Sequence, residues 1–292
     1  MTIALKDMIP EPFVDTETDR TKSRWVAKAY GDFVKETGRQ RTTIRGLFYY
    51  ALKRKEQDYP ICGKFVGEIR ITRPYHESDG ERLAKWVSRA RKLSFIPEDA
   101  ILEEFPGEHI FAPGSEGDRP YRIEVWHNKS AFNPILQPVC DKHGATLVSV
   151  DGRPSSVAIE DLYRRAGDAT IILCLSDLSA SSLHFCRDLA AEIGKEKPAG
   201  EWDLRLKRIA LTPEQVLNLG IPQVTGERSR GIDEADYKKY VEPYRLNPRK
   251  MSELDALEAH YPGGIAGFVD DALSKIDKSD NGQLLMDLKG GH

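Results

Sequence analysis

The chain has no run of eighteen apolar residues, no Cys-x-x-Cys pair and no glycine-rich Gly-x-Gly-x-x-Gly turn. The first absence argues against a membrane-spanning helix. The second removes the usual zinc and disulfide frameworks, leaving Cys62, Cys140, Cys174 and Cys186 as scattered, ordinary thiols. The third leaves any strand-to-helix turn without the dinucleotide fingerprint. The N-terminal stretch MTIALKDMIPEPFVDTETD is acidic and lacks the apolar core of a signal peptide. Together these absences predict a cytoplasmic protein with no membrane partner.

What is present is charge, unevenly placed. The net charge is −3, yet Arg20 to Lys92 holds 19 Lys and Arg against 8 Asp and Glu. A basic first third beside an acidic remainder suits a module that meets a polyanion, nucleic acid being the usual one; solvated helix faces are the alternative. With 292 residues and 40% hydrophobic content, two cores are expected.

Residues 1–19 read as a tail. Thr21 to Thr37 places Trp25, Ala29, Phe33 and Val34 on one helical face, and Gly38 ends it. Thr42 or Thr43 caps a second helix, TTIRGLFYYALKRK, with a core stripe of Ile44, Leu47, Phe48, Ala51 and Leu52. Arg45, Tyr49 and Lys53 form a separate line at i, i+4 and i+8. That line is either a phosphate-facing row or a boundary aromatic between solvated charges. A strand over Lys64 to Thr72 follows, with Phe65, Ile69 and Ile71 inward. A helix over Asp79 to Leu93 then turns Leu83, Trp86, Val87 and Ala90 inward and Arg82, Lys85, Arg89 and Lys92 outward. This order is that of a winged-helix relative of helix-turn-helix modules, in which a basic helix lies against the DNA groove. Arg41 and Arg54 join the same candidate DNA-binding set.

The Gly- and Pro-rich residues 106–120 read as a linker between a domain at 20–105 and one at 121–222. In the second domain strands (Tyr121–Trp126, Ala145–Val150, Ala169–Leu175, Leu204–Leu211) alternate with helices (Asn133–His143, Ser155–Ala166), the pattern of a parallel sheet. Ligands of such sheets bind beyond the carboxyl ends of the strands, where Asn128, Asp177 and Ser179 fall. Asp177 also suits a helix cap before SASSLHF. It is no receiver-type phosphoacceptor, because WHNK lacks the acidic pair which that chemistry needs. Thr212, Pro213, Gln215 and Gly220 frame a short capped helix. Residues 221–248 read as polar and turn-rich within a 223–292 helical extension, and the last sixteen residues as frayed.

Five segments in order resemble the topoisomerase VI A subunit and its meiotic double-strand-break relatives, above all the compact bacterial and phage proteins of that group. TIRGLFYYAL is similar to the catalytic-tyrosine helix, IEVWHNKSAF to the first strand and turn of the Toprim domain, and ILCLSDLSAS to the strand carrying its Asp-x-Asp. KRIALTPEQVLNLGIP and SELDALEAHYPGGIAGFVDDAL look like the segments that follow, so the likeness spans roughly residues 40 to 275. It implies a winged-helix domain joined to a Toprim-like parallel α/β domain, a homodimer on double-stranded DNA, and an ATPase partner subunit. In a bacterium it would place the protein at the nucleoid. It makes Tyr49 the nucleophile, with Tyr50 its competitor, and Arg45 the helper whose cation favours phenolate and phosphate charge.

The family's three magnesium-holding carboxylates correspond here to Asn128, Asp177 and Ser179. One carboxylate with an amide and a hydroxyl predicts a degenerate, weakened magnesium site. Glu124 points along its strand and Asp188 lies about two turns into the next helix, so neither replaces the missing acids. Lys129 either meets phosphate in place of metal or is an exposed turn lysine. The resemblance therefore carries two expectations: tyrosine-dependent strand cleavage through a phosphotyrosyl bond, or a non-catalytic DNA-binding descendant.

Overall fold

The computed structural model describes residues 16–66, 69–115, 119–166, 169–198, 200, 202–225 and 232–278. The proposed N-terminal tail up to residue 15 and the final fourteen residues lie outside them. In chain order the elements are α1 (Glu17–Thr37), β1 (Thr42–Thr43), α2 (Ile44–Arg54), β2 (Tyr59–Val66), β3 (Ile69–Arg73), α3 (Leu83–Lys92), β4 (Ile101–Leu102) and β5 (His109–Phe111). Then come β6 (Arg122–His127), α4 (Asn133–Lys142), β7 (Thr146–Ser149), α5 (Ser156–Arg165), β8 (Ala169–Leu175), α6 (Phe185–Lys195) and β9 (Asp203–Ala210). The chain finishes with α7 (Pro213–Asn218), α8 (Ile232–Val241), α9 (Leu257–His260) and α10 (Gly264–Lys278). The fold is mixed α/β with a parallel-rich sheet. Among the described residues no helix is long and apolar enough to cross a membrane.

Two compact units divide the chain: Met1–Gln40 with Ala51–Ala100, and Arg41–Tyr50 with Ile101–His292. This differs from the contiguous domain expected at 20–105, because residues 41–50 belong with the sheet. Thr42 and Thr43 pair in parallel with Ile101 and Leu102, and that pairing draws the start of α2 into the second unit.

In the first unit α1 begins four residues earlier than Thr21. Thr16 and Asp19 form a reciprocal capping box that satisfies the helix's opening N–H groups, so the acidic stretch starts a helix rather than continuing a tail. At the other end Gly38, at φ 71°, donates to the Val34 carbonyl. Helix α1 packs against α3, and Trp25, Val26, Ala29 and Phe33 are buried, as are Leu83, Trp86, Val87 and Ala90. The single strand expected at 64–72 is an antiparallel hairpin of β2 and β3, with Tyr59 opposite Arg73 and Val66 opposite Ile69. The side chains of Phe65 and Ile69 lie outside the described ones, and Ile71 is half-buried. Arg54 is held by Asp32 at 2.9 Å, Asp58 at 3.2 Å and Glu56. It serves as the counter-ion of three carboxylates.

The second unit is built on a five-stranded sheet of order β5-β7-β6-β8-β9, parallel except for β5. The linker expected at 106–120 thus contributes an edge strand. On one face Trp126, Val148, Ile172 and Cys174 pack with Ala158, Ile159 and Leu162 of α5 and Phe185 and Leu189 of α6. Val125, Leu147 and Leu173 alternate to the other side and are equally buried. Helix α4 packs on β7 and against α10. Strands covered on both faces explain the unbroken apolar run of β8. Glu124 is buried inside β6, where Arg165 at 3.0 Å and the Trp126 indole N–H at 2.7 Å neutralise and satisfy it. The segment expected to be turn-rich contains α8, whose Tyr237 and Val241 are buried. Tyr237 donates to the carbonyls of Leu178 and Lys250.

Lys22 is a buried cation in the first unit, with its ammonium 3.4 Å from the Tyr59 ring centroid and donating to the Pro60 carbonyl. Burial pushes its pKa down to about 8, against the pull of Cys62 and Asp79. The unfolded chain therefore holds this proton more tightly than the folded one, and stability rises with pH between about 8 and the ordinary lysine value. Below that window the burial cost is felt in full. Denaturant midpoints at pH 7 and pH 10 should show Lys22→Met gaining on the natural protein at the lower pH, with the gap narrowing at the higher. An equal gap at both would place the charge cost elsewhere.

Candidate functional site at the carboxyl edge of the sheet

Strands β6 and β8 are parallel neighbours with His127 opposite Leu175. From β6 the chain crosses to β7 on one side, and from β8 to β9 on the other. The two loops therefore diverge at their carboxyl ends, which is where open sheets form a crevice. Lys129 and Asp177 each lie two residues beyond the His127–Leu175 pair, so the register alone brings them to the same level.

They meet there. The Lys129 ammonium is 3.2 Å from Asp177 Oδ1 and 2.5 Å from Asp255 Oδ2. Asp177 and Asp255 are 8% and 3% exposed. Burial opposes charge on Lys129, but Asp177, Asp255 and Glu253 outweigh it and lift the amine above the usual lysine range. Lys129 is neither an exposed turn lysine nor turned toward solvent; it is the shared counter-ion of two buried carboxylates. Asp177 also accepts from the Leu254 backbone N–H at 2.8 Å. The Arg208 guanidinium donates to the Asp177 carbonyl at 2.6 Å. Leu178 and Ser252 exchange backbone hydrogen bonds, which fixes the 252–256 segment beside the strand ends. His127 has its pKa pushed down to about 4 by complete burial, and its neutral Nδ1 accepts from the Lys129 backbone N–H.

The start of α2 completes the cluster. Thr43 is the residue that caps it, accepting from the Gly46 N–H at 2.9 Å while its own hydroxyl donates to Asp255 Oδ1. Gly46 is required by close approach, since a Cβ there would lie 2.3 Å from the Thr42 hydroxyl and 3.2 Å from Glu258 Cβ. Two residues after Thr43, Arg45 donates from Nε to Glu253 Oε2 at 2.6 Å and from Nη2 to the Tyr49 hydroxyl at 3.4 Å. Its guanidinium also lies 4.1 Å from the Phe48 ring centroid. Tyr49 is fully buried, and Tyr50 nearly so. Burial first, and then the Glu253 carboxylate, push the Tyr49 phenol well above the ordinary tyrosine range, with Arg45 pulling the other way. In this arrangement Tyr49 is a neutral phenol enclosed by the fold, not a member of an exposed row.

The other candidates fall as follows. Ser179 is buried and its hydroxyl accepts from the Ser182 N–H at 3.0 Å, so it is spent on the turn before α6. Asn128 is half-buried, and its Oδ1 has no hydrogen-bond partner among the described residues. Asp188 lies near Arg153 and Arg187, both at 3.9 Å, on α6. Of the proposed DNA-contacting set, Arg41, Lys53, Arg82, Lys85 and Lys92 are exposed. Arg89 is half-buried near Asp19 at 3.8 Å, and Arg54 is enclosed by acids.

Magnesium fits these residues poorly. Both carboxylates that converge on the crevice share the Lys129 ammonium, Ser179 is engaged in its own turn, and no group of three or more His, Cys, Asp or Glu among the described residues could hold a metal ion. A hard dication seeks several charged oxygens in octahedral array. Here the carboxylate oxygens are already engaged by Lys129, the Thr43 hydroxyl and the Leu254 N–H.

Glu253 and Asp255 are not among the site residues expected from the sequence, and Thr43 is expected there only as a cap. The available signal was SELDAL, where two acids flank a single leucine just before a helix. Glu253 is extended at φ −97° and ψ 148°, and the helical turn Leu254–Ala256 that follows it carries Asp255. No protein-family model and no curated protein matches the chain.

Lys129→Ala should destabilise the second unit by about 3 kcal/mol or more, because it leaves two buried carboxylates uncompensated. Adding Asp177→Asn should recover part of that loss, as read from denaturant midpoints. Full additivity of the two changes would show that the ammonium and the carboxylate do not interact.

Proposed function

We propose that the chain is a DNA-binding scaffold or regulator of topoisomerase VI A ancestry, dimeric, with a winged-helix-type element and a Toprim-like domain whose metal chemistry has lapsed. The observation that carries this reading is the Lys129 ammonium seated between Asp177 and Asp255, where the resemblance implies magnesium. A tyrosine nucleophile needs its proton removed and its oxygen exposed to a phosphodiester. The Tyr49 hydroxyl is buried beside an acid that opposes phenolate formation, so both halves of the cleavage machinery are internally satisfied. Duplex contact falls to the exposed cations Arg82, Lys85 and Lys92 of the basic helix segment and to Lys53. They attract the phosphate backbone without sequence readout. Dimerisation and an ATPase partner are the interactions the resemblance adds, and a scaffold uses both.

A second reading, retained strand cleavage, is favoured by one contact. Arg45 lies one helical turn from Tyr49 and reaches its hydroxyl at 3.4 Å, the placement expected of a group that steadies a phenolate and the phosphate it attacks.

Two measurements decide between them. Duplex affinity should fall steeply with salt, and replacing Arg82, Lys85 and Lys92 together by Ala should reduce the log–log slope by about three. No affinity for duplex at low salt would sink both readings. Incubation with supercoiled plasmid and magnesium or manganese should give no covalent protein–DNA adduct. An adduct that disappears in Tyr49→Phe would overturn the scaffold reading and establish cleavage.

A further inference from the structure

Two of the four cysteines, scattered in the sequence, come together in the fold. Cys174 is the penultimate residue of β8, and Cys186 is the second residue of α6, twelve positions further on. Cys174 is fully buried in the core shared by the sheet, α5 and α6, and the half-buried Cys186 packs against that same core. Their side chains are hydrogen-bonded, with the Cys174 thiol as donor. Strand register sets Arg208 of β9 opposite Cys174, so the two side chains leave the same face of the sheet. Arg208 gives Nη2 to the Asp177 carbonyl at 2.6 Å, and its buried Nε makes no hydrogen bond among the described residues. The hydrogen bond from Cys174 comes first in lowering the Cys186 pKa, and Arg208 adds to it against the cost of burial. The start of an α-helix also favours a thiolate. Burial foremost, and then the hydrogen bond to Cys186, hold the Cys174 thiol well above the ordinary cysteine range. Cys186 is thus the more accessible and more reactive sulfur, and Cys174 the enclosed one.

We propose that Cys186 and Cys174 form a peroxide-sensitive dithiol, a modification site in which the first sulfur is oxidised and the second resolves it as a disulfide. The Cys186 thiolate attacks one oxygen of hydrogen peroxide, the O–O bond breaks, and the other oxygen leaves as hydroxide that takes a proton from solvent to become water. Cys186 is then a sulfenic acid. The Cys174 sulfur next attacks the Cys186 sulfur. An S–S bond forms as the S–O bond breaks, and the departing hydroxyl takes the Cys174 proton and leaves as water. Two thiols have lost two electrons to one peroxide. The existing hydrogen bond already directs the Cys174 proton toward the sulfur on which that hydroxyl forms. The closed ring includes Asp177 and Ser179, so oxidation ties the loop after β8 to the start of α6. None of the residues assigned to duplex contact takes part.

The test treats the folded full chain with hydrogen peroxide, alkylates free thiols in denaturant and digests with trypsin. No Lys or Arg lies between the two cysteines, so both fall in one peptide, residues 166–187. After peroxide that peptide should lose both alkylation sites and the mass of two hydrogens, and a thiol reductant should restore them. In Cys174→Ala no partner remains to resolve the sulfenic acid, and dimedone should label Cys186. In Cys186→Ser, Cys174 should stay free to alkylate after the same treatment. The natural protein alone decides the matter should either variant fail to fold. Retention of both alkylation sites after peroxide overturns the proposal. So does a disulfide from either cysteine to Cys62 or Cys140, or sulfinic acid at Cys186 with Cys174 left free. The denaturant midpoint should shift on oxidation and return with reductant; an unmoved midpoint would overturn the tie between the bond and the loop.

Discussion

A single buried ammonium organises the second unit. Lys129 from the loop after β6 gathers Asp177 from the loop after β8 and Asp255 from the C-terminal segment, positions 126 residues apart between the first and the last. Coulomb attraction inside a protein is strong only where water is kept out, and the same exclusion makes a charge without a partner costly. The three groups therefore fix one another. From Asp255 the constraint passes through Thr43 to the cap of α2, and from Glu253 through Arg45 to the Tyr49 hydroxyl. Strand ends, helix start and C-terminal segment are one polar network held by two cations, Lys129 and Arg45.

If the ancestry proposed above holds, this arrangement accounts for loss of the metal without loss of the fold. A dication at the end of a parallel sheet holds loops together by attracting carboxylates. A lysine tethered to one of those loops does the same with half the charge and none of the chemistry. Asn128 and Ser179 fit that account, since an amide and a hydroxyl add no further negative charge beside Asp177 and Asp255. The proposal of a scaffold rests on this substitution of a side chain for an ion. The buried phenol of Tyr49 is its counterpart on α2.

Local patterns in the sequence led to the sheet and helices with some accuracy. The apolar run of β8, the Thr212–Gln215 capping box and the inward face of α3 are each decided by neighbours within a few residues, and each is where its pattern places it. The errors have equally local causes. The Thr16–Asp19 capping box is legible in the sequence, but the acidic composition around it reads as a tail. Strand β5 is three half-buried residues in a Gly- and Pro-rich stretch, too short for a period to register. The site was less legible than the fold. Asp177 was found from its place after a strand, whereas Glu253 and Asp255 reach the site only through contacts across the chain, and no periodicity encodes those. From α2 alone Tyr49 reads as part of a phosphate-facing row or as a boundary aromatic, because the Glu253 carboxylate beside it comes from a distant part of the chain.

The outer edge strand β9 has a further consequence for assembly. It alternates Asp203, Arg205 and Lys207 along its length, with Arg205 ion-paired to Asp203 at 2.7 Å. Among the described residues its outer edge carries no further strand, and such an edge is a template for a second copy of the sheet, yet docking there would crowd and desolvate this row of charges. Growth of the sheet from molecule to molecule, the route to fibrous aggregates, is therefore discouraged at this edge. Copies of the chain that associate are steered toward contacts between side-chain surfaces instead of shared strands.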